Sequence, residues 1–153
     1  MAGFRFATEK GFTAVITIDA DLQHLPEEIP GFLAQADTGA LVIGTRKRNI
    51  RNMPFDRLVT NGLTSLIISI FSTQRVRDSQ SGYRLIPTNL LRSLRLVSSR
   101  YDFESEMLFK AGYLGCRISE VPISTIYDES TSFINPLKDT LRFIRQIWRR
   151  IWF

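Results

Sequence analysis

Cysteine is almost missing from this chain. Cys116 stands alone among 153 residues, which excludes an internal disulfide and suits a reducing compartment. Long apolar runs are missing too. The longest, Leu63–Phe71, falls far short of the roughly 20 residues needed to span a bilayer. Residues Met1–Ala14 are too charged and too poor in leucine for a signal peptide. There is no internal repeat, no low-complexity segment and only one histidine, His24. The acids are outnumbered, 15 against 20 basic residues, for a net charge of +5. Most of that excess lies in one place, where Lys138, Arg142, Arg145, Arg149 and Arg150 face only Asp139. A local basic patch argues for a surface partner. The basic loop and helix lack interleaved stacking aromatics on a sheet, so no nucleic-acid role is expected.

What is present describes one globular domain with one core. Met1–Lys10 reads as the end of a helix stopped by Gly11. Thr13–Ile18 is apolar and β-branched, as a buried parallel strand should be. Pro26 suits a first helical position, and Ile29, Phe32, Leu33 and Ala36 recur at helical spacing. After a turn at Asp37-Thr38-Gly39, Ala40–Thr45 is a second buried strand. This strand–helix–strand succession implies a right-handed parallel crossover. A basic loop, Arg46–Pro54, leads to a helix over Phe55–Ser72 with Leu58, Val59, Leu63, Leu66, Ile67, Ile70 and Phe71 facing inward. Thr73–Ser81 is a polar loop, Tyr83–Ile86 a short strand, and Pro87 opens another helix. Glu104–Leu114 is helical up to Gly115, Ile118–Tyr127 is a strand, and Pro136–Phe153 is a final helix. Alternating strands and helices predict an α/β fold with a mixed or parallel sheet, in which ligands sit beyond the carboxyl ends of strands.

The most telling stretch is Val15–Ile29, VITIDADLQHLPEEI. Its apolar run ends abruptly in Asp19-Ala20-Asp21. Side chains two apart along a strand point the same way, which would set both acids together at the strand's end. Close carboxylates repel unless a cation neutralises them, and hard divalent ions take oxygen ligands. A Mg²⁺ so held completes its shell with water and substrate phosphates. The alternative from these residues alone is that both acids are turn and cap residues. His24 follows directly, but Mg²⁺ and Mn²⁺ prefer oxygen, so it is not expected to be a ligand. Arg46 ends the second strand at the same sheet edge, and arginine grips phosphate with a planar fork. Arg57 and Asn61 lie at i and i+4 on one helix face.

DADLQH, together with Gly44-Thr45-Arg46 and Asp78-Ser79-Gln80-Ser81-Gly82-Tyr83-Arg84, resembles the motifs of family 2 glycosyltransferases with the GT-A fold. The type most similar is the polyprenyl-phosphate sugar transferase, of the dolichol-phosphate mannose synthase kind. The resemblance implies a partial GT-A, Rossmann-like mixed sheet flanked by helices over residues 1–135, and a basic amphipathic helix over 136–153. It implies a Mg²⁺ or Mn²⁺ ion held by Asp19, Asp21 and Gln23. Arg46, Arg57 and Asn61 would meet the phosphate of a lipid acceptor. Asp78 would lie near the metal and the sugar as a catalytic group alongside Arg46 and Arg57, with Gln80, Ser81 and Arg84 on the substrate side. A phosphate acceptor is already anionic and needs no general base, so Asp102 and Glu104 are open between catalysis and helix capping. The partners implied are a nucleotide-sugar donor and a lipid phosphate, and the location is the cytoplasmic face of the cell membrane, peripherally attached. The stripe Leu137, Leu141, Ile144, Ile147, Trp148, Ile151 and Trp152 beside its arginines suits an anionic membrane surface, or packing on its own domain. A non-catalytic membrane-surface module is the second reading. Family members begin with a Pro-x-Tyr/Phe-Asn-Glu motif that builds the base pocket, and the chain has none. The expectation is therefore a truncated transferase that binds nucleotide weakly by itself.

Overall fold

A computed structural model describes residues 2–21, 23–46, 55–94, 96 and 103–124, with the main chain alone for 55–61 and 71. The elements in chain order are α1 (Ala2–Glu9), β1 (Ala14–Thr17), α2 (Ile29–Leu33), β2 (Leu41–Arg46), α3 (Phe55–Ser72), β3 (Arg84–Pro87), α4 (Thr88–Ser93), α5 (Phe103–Tyr113) and β4 (Ile118–Ile123). A 3₁₀ turn opened by Pro26 leads into α2. The strands form one mixed four-stranded sheet in the order β1-β3-β2-β4. β3 runs antiparallel to both neighbours, with Thr17 and Ile43 opposite Arg84, and β2 runs parallel to β4. This is the α/β mixed sheet flanked by helices that the motifs predicted.

Strand alternation builds two cores. Leu41, Ile43, Ile86 and Ile118 face Ile68 of α3, Leu90 of α4, and Met107, Leu108 and Ala111 of α5. Val42, Leu85, Val121 and Ile123 face the other way, onto Phe32 of α2 and Tyr83. The outer edge of β4 is covered at its start. The Gln74 side chain donates to the Cys116 carbonyl at 2.8 Å and accepts from the Ile118 N–H at 2.7 Å, and Pro122 brings no N–H.

Two sequence expectations need correction. Thr13–Ile18 is not a buried parallel strand. Among the described residues β1 pairs with β3 alone, antiparallel, and all four of its residues are half-buried. β1 and β2 do run the same way, but β3 lies between them. An apolar β-branched run specifies extended backbone and apolar contact on a face, and does not specify the neighbouring strand.

The inward face of α3 also differs. Leu63, Leu66 and Ile70 are exposed, Ile70 at 65%, while Thr64, Ser65, Ile68 and Ser72 are buried. The reason is the irregular segment after the helix, whose main-chain polar groups need partners. Ser69 Oγ accepts from the Val76 N–H at 2.9 Å, and Ser65 Oγ accepts from the Ser79 N–H at 3.1 Å. The serine stripe therefore turns inward and the leucines turn out. The side chains of Leu58, Val59 and Phe71 lie outside the described residues, as do 125–153 and the helix expected there.

Candidate active site

Because β3 is antiparallel to its neighbours, the carboxyl ends of β1 and β2 and the amino end of β3 meet at one end of the sheet. The chain leaves β1 into Asp19-Ala20-Asp21, β2 ends on Arg46, and Asp78–Gly82 leads into β3. Topology thus brings the three motifs together at the place where ligands bind in open α/β sheets.

The firmest contact joins the second and third motifs. Arg46 Nε donates to Asp78 Oδ2 at 2.6 Å and its Nη2 donates to Oδ1 at 2.8 Å. The Arg46 main-chain N–H also points at Oδ2, at 3.4 Å. Such a planar, charge-assisted fork holds both partners in fixed orientation. Asp78 is 6% exposed, and the Arg46 side chain retains more access to solvent.

Beneath this pair lies Arg84, fully buried. Its Nε donates to the Ser81 carbonyl at 2.7 Å, Nη2 to the Ser79 carbonyl at 2.8 Å, and Nη1 to the Glu104 carbonyl at 2.6 Å. Burial pushes its pKa down to about 10, against the opposing pull of the Glu104, Asp78 and Asp19 charges. The group remains charged at neutral pH and ties the motif loop to the first turn of α5.

Asp19 lies beyond the last residue of β1, so strand alternation does not govern where it or Asp21 points. Its Oδ2 lies 3.5 Å from His24 Nε2. The hydrogen bond from His24 lowers its carboxyl pKa, partial burial raises it, and the charges of His24, Arg46 and Arg84 lower it further. Asp21 makes a local turn in which Oδ1 accepts from the Gln23 N–H at 3.0 Å. His24 is buried against Tyr83, whose hydroxyl donates to the Leu25 carbonyl at 3.1 Å.

The remaining residues nominated by the motifs are placed as follows. Gln23 is half-buried and Gln80 exposed. Ser81 is buried, and its Oγ has no partner among the described residues. The backbone of Arg57 and Asn61 lies in α3, but their side chains, like all of Asp102, lie outside the described residues. Glu104 lies in the first turn of α5, where negative charge suits the helix dipole. Ser65, Ser69 and Gln74, which hold the loop, were not singled out from the sequence. The signal was there, since serines at 65, 69 and 72 interrupt an apolar helix at helical spacing.

Among the described residues, no group of three or more His, Cys, Asp or Glu side chains could hold a metal ion. Two acids on one exposed loop, one held anionic, still fit a hard divalent ion that takes one or two carboxylates and fills its shell with water and phosphate oxygens. Beside Arg46 a cleft of about 760 Å³ runs between α3 and the β2–β4 edge, and Arg75, Arg77, Ser65 and Leu66 also line it.

The model of the family described as glycosyl transferase family 2 matches residues 1–97. The chain belongs to glycosyltransferase family 2. Over 135 residues, it is 35% identical to an undecaprenyl-phosphate mannosyltransferase of Micrococcus luteus, covering 84% of this chain and 56% of that protein. It is 36% identical to a UDP-N-acetylglucosamine–dolichyl-phosphate N-acetylglucosaminyltransferase of Methanococcus voltae, covering 84% and 54%. It is 30% identical to a polyprenol monophosphomannose synthase of Mycolicibacterium smegmatis, covering 81% and 49%. This family 2 chain therefore spans about half the length of the curated relatives it matches, and the three above are named for sugar transfer to undecaprenyl phosphate, dolichyl phosphate or polyprenol.

Proposed function

We propose that this chain supplies the ion-side and acceptor-side part of a transferase that moves a sugar from a nucleotide-sugar to a polyprenyl phosphate. The observation that carries this reading is the Arg46–Asp78 fork beside the Asp19 loop, in a chain whose relatives are named for such acceptors. An acceptor phosphate is already an anion, so the site must orient it and tolerate its charge. Arg46 does this from the end of β2, and Arg57 of α3 is its proposed partner. Its cleft sets Arg46, Arg75 and Arg77 against the single acid Glu120, beside Leu66, Val76 and Pro122, which suits a phosphate bearing a hydrocarbon tail. The exposed Leu63, Leu66 and Ile70 on α3 suit the same tail and a peripheral position on the inner face of the membrane.

Asp19 and Asp21, supported by Gln23, would hold Mg²⁺ or Mn²⁺. A hard divalent ion bound there neutralises charge developing on the departing diphosphate. Asp78 keeps Arg46 aimed, and Arg84 fixes the loop that carries Asp78. In a transfer-competent protein containing this chain, Asp21→Ala should abolish transfer to polyprenyl phosphate. Unchanged turnover would remove the ion from this account. Titrating the 153-residue chain with UDP- and GDP-sugars plus Mn²⁺ should give weak binding or none, and micromolar affinity would refute that expectation.

A further inference from the structure

The Asp19 carboxylate rests directly on Gly82. A Cβ built at Gly82 would lie 2.5 Å from Oδ2, 2.7 Å from Oδ1 and 2.8 Å from Cγ of Asp19. Those separations are inside van der Waals contact, so any side chain at position 82 claims the carboxylate's place. The backbone itself does not require glycine. The glycines with positive φ are Gly11, Gly39 and Gly115, and Gly82 is not one of them. The three atoms nearest to that Cβ position all belong to Asp19.

Two further contacts fix the geometry. Thr17 Oγ1 donates to the Gly82 carbonyl at 2.7 Å, tying the glycine to the end of β1. From the side, His24 Nε2 approaches Oδ2 at 3.5 Å. His24 is 7% exposed, and its Nδ1 has no partner among the described residues. Among the described residues the polar contact of this buried imidazole is therefore at Nε2, and that nitrogen faces Asp19.

We propose that Gly82 and His24 are positioning residues for the Asp19 carboxylate. The glycine leaves the room beneath it and the imidazole holds its flank, so the anion is fixed before any ligand arrives. This rests on the transferase reading for its use, because a carboxylate that must meet an ion and a diphosphate gains from preorganisation. It also explains a linkage between two motifs far apart in sequence: the first acid of one needs the glycine of the other.

The contact is testable without any sugar transfer. His24 is the sole histidine, so its ring resonances are unambiguous in the NMR spectrum of the full chain at one fixed pH. In Gly82→Ala a short side-chain tip must yield, which is cheaper than moving backbone. Its melting temperature should stay within a few degrees of the native chain, while the His24 ring signals move as far as they do in Asp19→Ala. Adding Gly82→Ala to Asp19→Ala should then move them no further, because the carboxylate is already gone. Native His24 signals in a folded Gly82→Ala variant would overturn the proposal. So would an Asp19→Ala variant whose His24 signals do not move, or an equal effect of Gly82→Ala with and without Asp19. Should Gly82→Ala fail to fold, the double variant decides: recovery of folding supports the seat, and continued failure overturns it.

Discussion

Arg46 and Arg84 stand at the same end of the sheet, and both approach the loop that holds Asp78, yet they do opposite work. Arg84 is buried, donates to three main-chain carbonyls, and carries a depressed pKa. Arg46 lies nearer solvent and meets a carboxylate through its fork. Carbonyls bound to Arg84 have no substitute in the dry interior, so that guanidinium is architecture. A carboxylate on Arg46 is the same kind of group as a phosphate, a planar or tetrahedral anion that accepts two N–H bonds. The pair therefore separates two meanings of a charge within a motif: one cation builds the site, and the other is the one proposed to meet the ligand.

The sharpest way to break this distinction is Arg84→Met. It removes the donor from two buried carbonyls and one part-buried carbonyl, and a loss of about 3–5 kcal/mol is expected in urea denaturation. A chain that keeps its stability would show that Arg84 is not structural. Arg46→Ala should have the converse profile in a transfer-competent protein. Sugar transfer should fall about a hundredfold or more, while thermal unfolding shifts by only a few degrees. A large fall in melting temperature with intact transfer would reverse the two roles.

Asp78→Asn sharpens the comparison at a smaller scale. It keeps the shape and weakens the fork, so a stability loss of about 1–2 kcal/mol is expected, between the values for exposed and fully buried pairs. An Asp78→Asn variant as stable as the native chain would mean the fork adds little to folding. The smallest effect concerns Asp19. Its folded pKa lies below the ordinary carboxyl value, so its contribution is present above the unfolded carboxyl range and is lost as pH falls through the folded value. Native and Asp19→Asn chains should therefore differ in stability near neutral pH and converge in acid. A gap that widens on acidification would contradict the sign.

The elements were legible in the sequence because local signals set them. Gly11, Gly39 and Gly115, at φ of 76°, 67° and 71°, end α1, the turn before β2 and α5 where the spacing predicted stops. The range Phe55–Ser72 for α3 needed only periodicity and the loops around it. Partners were not legible. Nothing in Thr13–Ile18 reveals that β3 lies beside it, because strand pairing is a long-range choice. In α3, apolar spacing favoured Leu63 and Leu66 as the inward face, but the loop after the helix needed hydroxyls more than that face needed leucines. The motif residues Asp19, Arg46 and Asp78 lie at the sheet's end because strand termini place them. The motifs did not tell that Arg84 points inward, or that Gly82 lies under Asp19, because both facts depend on how the loop packs.

The side-chain amide of Gln74 and the ring of Pro122 have a consequence for how this sheet can grow. With Gln74 covering the start of the β4 margin and no N–H at Pro122, that side offers a newcomer in extended conformation fewer main-chain hydrogen-bonding groups. Among the described residues β1, paired with β3 alone, is the other edge of the sheet. A strand that joined β1 would lie on the flank from which the Asp19 loop emerges, so that widening the sheet and walling that loop would be a single event.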